Sequence, residues 1–429
     1  MDERLIPTVM TIGPRRRGKC CLCQSGRQSQ DLSVRSLDER AVPFRLRMVE
    51  ALKSMGVTDP VVLHAMASIP RHRYVDRFWA APTGMPWTPE HVREFVVDDD
   101  VADETLRVIY EPSTALATRG PVDVPHATSS LSAPIIVALM LAELHLSPGL
   151  RILEIGTGSG YHAALMATLV GDPALVTTLD IDQSVITDTR HRMHRLGFDA
   201  MTVRCIDGAL GAPDRAPFDR VVATVGCADL SPAWTDQLAP DGEMLVPLEH
   251  GLLHPRIRVQ RVPELRGRFV GQSGFIPIQG VQGTARLWPR PGPITETGTV
   301  EDLPEVLLET LPQGALSESR RAGTMWDFGT YLALRDRRAS GAGLIEHESR
   351  VMIREGRLVI AGARGHSLKT RMLEIATDWC ALGAPDLSRY LMRFLPWSVP
   401  NDDPPPDSPM GPWRVVRLNY RQAIWITPP

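Results

Sequence analysis

Three glycines spaced two residues apart, Gly156, Gly158 and Gly160, separate an apolar run from an Ala-, Leu- and Met-rich run in RILEIGTGSGYHAALMA, residues 151–167. Glu154 precedes them and Thr157 lies among them. Residues 151–155 read as a buried strand and 162–169 as a helix. The unit is therefore strand, glycine turn, helix. Glycine lets the chain turn sharply and lets a ligand approach the main chain. The first helical turn offers unpaired N–H groups to an anionic group. Two common ligands do not fit the spacing. A dinucleotide fingerprint needs its third glycine at position 161, which is Tyr161, and a phosphate-cradling loop would end in Gly-Lys-Ser/Thr.

Two further groups of residues could do chemistry with that loop. Thr128, Ser129, Ser130 and Ser132 precede Pro134 and an apolar helix. Any one of them could be a helix cap; together they could hold a carboxylate through hydroxyls and helix N–H groups. Asp180 ends the strand LVTTLD, 20 residues after Gly160. A carboxylate there can accept hydrogen bonds from both hydroxyls of a ribose. Asp182 competes, but it also suits the cap of a helix over 183–196, so Asp180 is preferred. Asp207 and Gly208 follow the strand 201–206, where an acid or its backbone can reach an adenine amino group.

Other clusters read more plainly. Cys20 and Cys23 form a CxxC beside Cys21, but no second pair follows to complete a zinc site. The basic, irregular residues 1–40 are expected to be a disordered leader. The acids Asp98, Asp99, Asp100, Asp103 and Glu104 read as a solvated surface, and His191 and His194 as solvated helix residues. No metal site is expected. The net charge of −3 gives no global case for nucleic acid. No apolar run is long enough for a membrane span, and the N-terminus lacks a secretory pattern. The expectation is a cytoplasmic protein acting without nucleic acid or membrane. Its oligomeric state is not legible.

The elements that must position these residues follow an α/β rhythm. Helical patterns cover 47–55 and 60–69. Residues 81–125 form a less regular insertion. Strands are expected at 175–180, 201–206, 218–226, 243–248, 256–262 and 268–277, with the ligand at the carboxyl ends of a mostly parallel sheet. Pro289, Pro291 and Pro293 mark a linker over 289–299. Residues 300–429 read as an α+β accessory or substrate-docking domain, with a hairpin turning near Glu355-Gly356, a helix over 367–381 and a proline-rich loop over 400–409.

ExGxGxG at the end of a first strand resembles the S-adenosylmethionine (SAM) site of class I methyltransferases. Residues 48–280 resemble the protein-L-isoaspartate O-methyltransferase family. The carriers are MASIPRHRYV (66–75), SLSAP (130–134), LEIGTGSGY (153–161), Asp180, the Asp207-Gly208 pair, APFDRVVATVG (216–226) and QLAPDGEMLVPL (237–248). The resemblance implies a Rossmann-like, mostly parallel seven-stranded sheet with helices on both faces, over residues 41–288, plus the smaller C-terminal domain. It implies SAM bound by Glu154, Gly156, Thr157, Gly158, Gly160, Asp180, Asp207 and Gly208. Ser132, with Thr128 and Ser130, would hold the substrate carboxylate. The implied activity is esterification of an isoaspartyl carboxylate in a protein, followed by succinimide formation and repair. The long form, with GFIPIQG (274–280), is also similar to methyltransferases of ribosomally made modified peptides, which esterify an aspartate of one dedicated substrate. A non-catalytic SAM-binding adaptor is the alternative from another class.

Overall fold

The computed structural model describes residues 36–81, 91–120, 127–261, 264–284, 288, 298–303, 307, 318–354, 357–397 and 410–427. Residues 1–35 of the expected leader, 289–297 of the linker, the turn at Glu355-Gly356 and the loop 400–409 lie outside the described residues; the leader expected to 40 instead gives way to a capped helix from Leu37, and the linker expected to 299 to a strand from Thr299. Among the described residues, no helix is long and apolar enough to cross a membrane.

The chain opens with α1 (Leu37–Ser54) and α2 (Pro60–Ser68). A capping box starts α1: Ser36 accepts from the backbone of Glu39, whose side chain accepts from the backbone of Ser36. Asp59 caps α2 ahead of Pro60 at its first turn. The stretch expected to be irregular is instead a small antiparallel sheet. It consists of β1 (Arg77–Ala80), β2 (Arg93–Val96), β3 (Leu116–Arg119) and β4 (Ser129–Leu131), with α3 (Asp103–Ile109) between β2 and β3. Its strands are only three or four residues long, too short for a period-2 pattern to stand out. Then α4 (Pro134–Glu143) leads to the main sheet.

That sheet begins with β5 (Ile152–Ile155), α5 (Tyr161–Val170), β6 (Val176–Asp180), α6 (Gln183–Arg195), β7 (Thr202–Cys205) and β8 (Phe218–Ala223). It continues through α7 (Pro232–Asp236), β9 (Leu238–Pro247), β10 (Arg256–Arg261) and β11 (Leu265–Gly271). β7, β6, β5, β8 and β9 are parallel neighbours; β10 and β11 close the row antiparallel. This is the expected seven-stranded, mostly parallel arrangement. The turn read in APDGEMLVPL is absorbed into β9, where the register against β8 shifts between Phe218↔Leu238 and Arg220↔Glu243.

The sheet does not stop at seven strands. The C-terminal region adds β12 (Thr299–Asp302), the helix Glu318–Arg335, β13 (Gly343–Glu346), β14 (Ser349–Arg354), β15 (Arg357–Ala361) and the helix Gly365–Ala381. It then adds β16 (Tyr390–Pro396), β17 (Trp413–Val416) and β18 (Tyr420–Ile426). β12 to β15 form their own four-stranded sheet. β16 pairs with β11, however, and β18 and β17 follow, so one ten-stranded sheet runs through both parts of the chain.

Packing follows the same plan. Residues 152 and 153 alternate between two cores. Ile152, Val176, Val222 and Leu245 pack against α1, α2, α4 and α5. Leu153, Val221 and Met244 face the opposite way, into a core that also holds Phe328, Trp379, Phe394 and Ile424 from the C-terminal region. That second core is continuous across position 300. A polar clamp adds to it. Arg417 is buried and donates to the carbonyl oxygens of Ala228 (2.7 Å) and Glu249 (2.8 Å). Asp229, fully buried, accepts from the backbone N–H groups of Leu230, Asn419 and Tyr420. Burial pushes the Asp229 carboxyl up to about 6.

Candidate active site

The carboxyl ends of β5, β6 and β8 open into a cavity of about 1120 Å³. Sites for drug-sized ligands are commonly about 300–1,000 Å³, so this one has room for a nucleoside cofactor and part of a polypeptide. Gly156, Thr157, Gly158, Asp180 and Gly208 line it together with Thr128, Ser130 and Ser132. Eight of the residues singled out from the sequence thus meet in one space.

The glycine loop shows why side chains are excluded. Gly156 has φ 102°, and a Cβ there would lie 2.7 Å from the Thr224 hydroxyl. Gly158 has φ 49° and sits against the Ser130 carbonyl, 3.2 Å from where its Cβ would be. Both conformations favour glycine. The bare backbone that results forms the floor of the cavity. Gly160 has a different job. It is the N-cap of α5, and its missing Cβ leaves space for Met193 and Thr189 of α6. It does not line the cavity.

Asp180 ends β6 and accepts from the backbone N–H groups of Gly158 and Asp182, each at 3.1 Å. Burial raises its pKa against the lowering effect of those hydrogen bonds. Asp182 is spent on α6, accepting from Ser184 (2.7 Å) and Val185 (3.3 Å). Of the two acids, only Asp180 lines the cavity.

Glu154 and Asp207 stand one layer back. Glu154 is fully buried on β5; it accepts from Thr178 Oγ1 (2.6 Å) and pairs with His162 Nδ1 (2.8 Å). Thr178 Oγ1 also meets Thr157 Oγ1 at 2.8 Å. This network fixes the loop from below. Asp207 accepts from Ala209 N and Val281 N, both at 2.9 Å. It therefore ties down the end of a segment that the sequence pattern had continued as a strand. That segment leaves the sheet after Gly271. Gly226 N donates to Ile276 O and Ile278 N to Gly226 O, and residues 274–280 wall the cavity. Gly274 and Gly280, flanking an apolar run, were the available signal.

The hydroxyls of the β4–α4 stretch divide. Ser129 is buried and accepts from Thr118 Oγ1 at 3.2 Å. Ser132 does not cap α4, whose N-cap is Ala133 with no side-chain hydrogen bond. It borders the cavity at the positive end of that helix. Arg71, from the MASIPRHRYV stretch, supports this segment. It is fully buried, donates to Ile109 O (2.7 Å) and Leu131 O (3.3 Å), and burial lowers its pKa to about 10. Sequence reasoning gave Arg71 no role, since its partners lie 38 and 60 residues away.

The site therefore offers a bare glycine floor, a partly desolvated carboxylate at the β6 end, and a hydroxyl at a helix N-terminus. These residues fit an adenosyl cofactor beside a carboxylate-bearing substrate. Residues 110–282 match the family model described as Protein-L-isoaspartate(D-aspartate) O-methyltransferase (PCMT). The chain is similar to the protein-L-isoaspartate O-methyltransferase of Methanococcoides burtonii, at 30% identity over 239 residues, covering 55% of this chain and 100% of that protein. It is similar to that of Paramagnetospirillum magneticum at 32% identity, covering 57% and 95%. A solved structure titled protein-L-isoaspartate O-methyltransferase aligns with 81% of this chain and 95% of that one, at 22% identity and a TM-score of 0.47. The chain belongs to the protein-L-isoaspartate O-methyltransferase family and is an SAM-dependent protein carboxyl O-methyltransferase.

Proposed function

We propose that this chain esterifies the free carboxylate of an isoaspartyl residue in a polypeptide, with Ser132 and the α4 N-terminus holding that carboxylate. The observation that carries the reading is the placement of Ser132. It lines the same cavity as the loop glycines Gly156 and Gly158 and is not used as a helix cap. Bound SAM supplies an electrophilic methyl group on a sulfonium. Gly156 and Gly158 would let it lie against the main chain, Asp180 would take its ribose hydroxyls, and Gly208 would border its base. Glu154 and Asp207 act on that group through the loops they fix.

The acceptor needs no general base. A carboxyl with a reference pKa of about 4 is ionised at pH 7. The tasks left to the protein are orientation and removal of water. Ser132 donates a hydrogen bond that holds the carboxylate in line, and the helix dipole of α4 favours the anion there. The wall formed by residues 274–280 limits solvent. The backbone nitrogen of the next residue then attacks the ester carbonyl and expels methanol, closing a succinimide without further help from the chain.

A second reading is favoured by one observation. The family match ends at residue 282, yet β16 to β18 are built into the catalytic sheet. A dedicated peptide substrate, esterified at an aspartyl side chain, suits an enzyme with such an addition. Ser132→Ala tests the core of either reading: turnover should fall about 10-fold or more with SAM affinity nearly unchanged. Normal turnover would remove Ser132 from the mechanism. SAM binding with no base-labile methyl ester on any acidic peptide would support a non-catalytic adaptor instead.

A further inference from the structure

Among the described residues, the antiparallel half of the main sheet has one face that no helix of the second core covers. Along β10, β11, β16, β18 and β17, alternate residues are buried in the core shared with the C-terminal helices, while their neighbours are half-buried or exposed. Strand register shows which residues share the open face. Arg258 lies opposite Arg268, Arg266 opposite Arg393, Arg421 opposite Leu395, and Arg414 opposite Ala423. Six arginines thus stand on one face of five strands. The same strands place no Asp or Glu there.

Two of these pairs break a local rule. Like charges directly opposite each other in an antiparallel sheet destabilise it. Arg258↔Arg268 and Arg266↔Arg393 are both of this kind. Relief is partial: Glu264 pairs with Arg393 at 2.7 Å, Arg258 meets His145, and Arg421 lies over the Trp397 ring at 5.7 Å. Among the described residues, Arg266 and Arg268 have no ion-pair partner, and both are exposed. A fold that keeps such a violation usually does so for function.

We propose that this arginine face docks an acidic segment of the polypeptide substrate. The inference rests on the reading of the substrate as a polypeptide, and it adds a substrate class to it. Guanidinium groups recognise carboxylates bidentately. Strand spacing of about 4.8 Å and a two-residue repeat of about 7 Å set them on a grid that an extended acidic chain can follow. Leu391, Leu395 and Trp425 lie between them and offer apolar contact. The face shares a strand with the segment that forms the cavity wall. β11 carries Arg266 and Arg268, ends at Gly271, and leads directly into the cavity wall at Gly274. Glu143, at the far end of α4 from Ser132, holds Arg256 at the start of β10.

The test uses the full chain and a fluorescent Glu-Ser repeat peptide that contains no isoaspartate. Binding is expected, weakening as salt rises. The double variant Arg266→Gln/Arg268→Gln should weaken it about tenfold, with turnover of a short neutral isoaspartyl peptide unchanged. Its melting temperature should hold or rise, because two like-charge pairs are relieved. No binding by the parent chain, undiminished binding by the variant, or a sharp fall in melting temperature would overturn the proposal. So would tighter binding of a single-stranded oligonucleotide that the same variant loses, which would assign the face to nucleic acid. Binding of the acidic peptide without methylation of any isoaspartyl peptide would leave the docking face standing and remove the activity.

Discussion

β5 and β18 belong to the same sheet but have different surroundings. Every residue of β5 is buried, whereas β18 alternates between buried and half-exposed along its whole length. Helices cover β5 on both sides, as a parallel strand requires. β18 has the shared core on one face and the arginine face on the other. The parallel half can therefore aim its strand ends at a ligand while its central strand stays shielded. The antiparallel half can hold the core together and still present a surface. The difference teaches that the C-terminal region serves the catalytic part in two ways, by completing its core and by widening its sheet.

The largest expected effect tests whether the two halves are one folding unit. Phe394→Ala removes a ring from the continuous core and should cost about 3–5 kcal/mol, with a single unfolding transition that abolishes SAM binding as the core melts. Two separate transitions, with the SAM site surviving the first, would restore two independent domains. Next is the buried clamp. Asp229 has a folded pKa of about 6, above the unfolded value of about 4. The folded state therefore binds the extra proton between those values, and its stability falls as pH rises from about 4 through 6. The change is about 3 kcal/mol. Asp229→Asn should lower stability overall, since both carboxylate oxygens accept backbone N–H groups. It should also flatten that pH dependence in thermal melts. A parallel pH profile for parent and variant would show that Asp229 does not titrate there. The smallest effect is local to the parallel half. Asp180→Ala should weaken SAM binding by about 1–3 kcal/mol by calorimetry, with the melting temperature of the free protein little changed. Unchanged SAM affinity would take Asp180 out of the cofactor site.

Legibility in the sequence followed the same division. The glycine loop, Asp180 and the seven strands were readable because each depends on neighbours within a few dozen residues. Asp182 could be set apart from Asp180 because helix caps have a local signature. The pairing of β16 with β11 joins residues 393 and 266, and no local pattern specifies which edge a strand will join. Spacing alone groups Gly160 with the loop glycines; its role in packing against α6 needs Met193 in place. Glu154 and Asp207 do not line the cavity and instead hydrogen-bond the segments that do, a distinction the motif does not carry. The small sheet of β1 to β4 was hidden by its short strands, yet it supplies the wall that carries Ser130.

Methyl transfer from radiolabelled SAM to a matched pair of peptides, identical except for isoaspartate or normal aspartate at one position, is the most direct test of the proposed chemistry. Base-labile label on the isoaspartyl peptide alone is the expected result. Label on neither peptide, with SAM binding intact, would contradict isoaspartyl methylation and leave a dedicated substrate or an adaptor as the role of this chain.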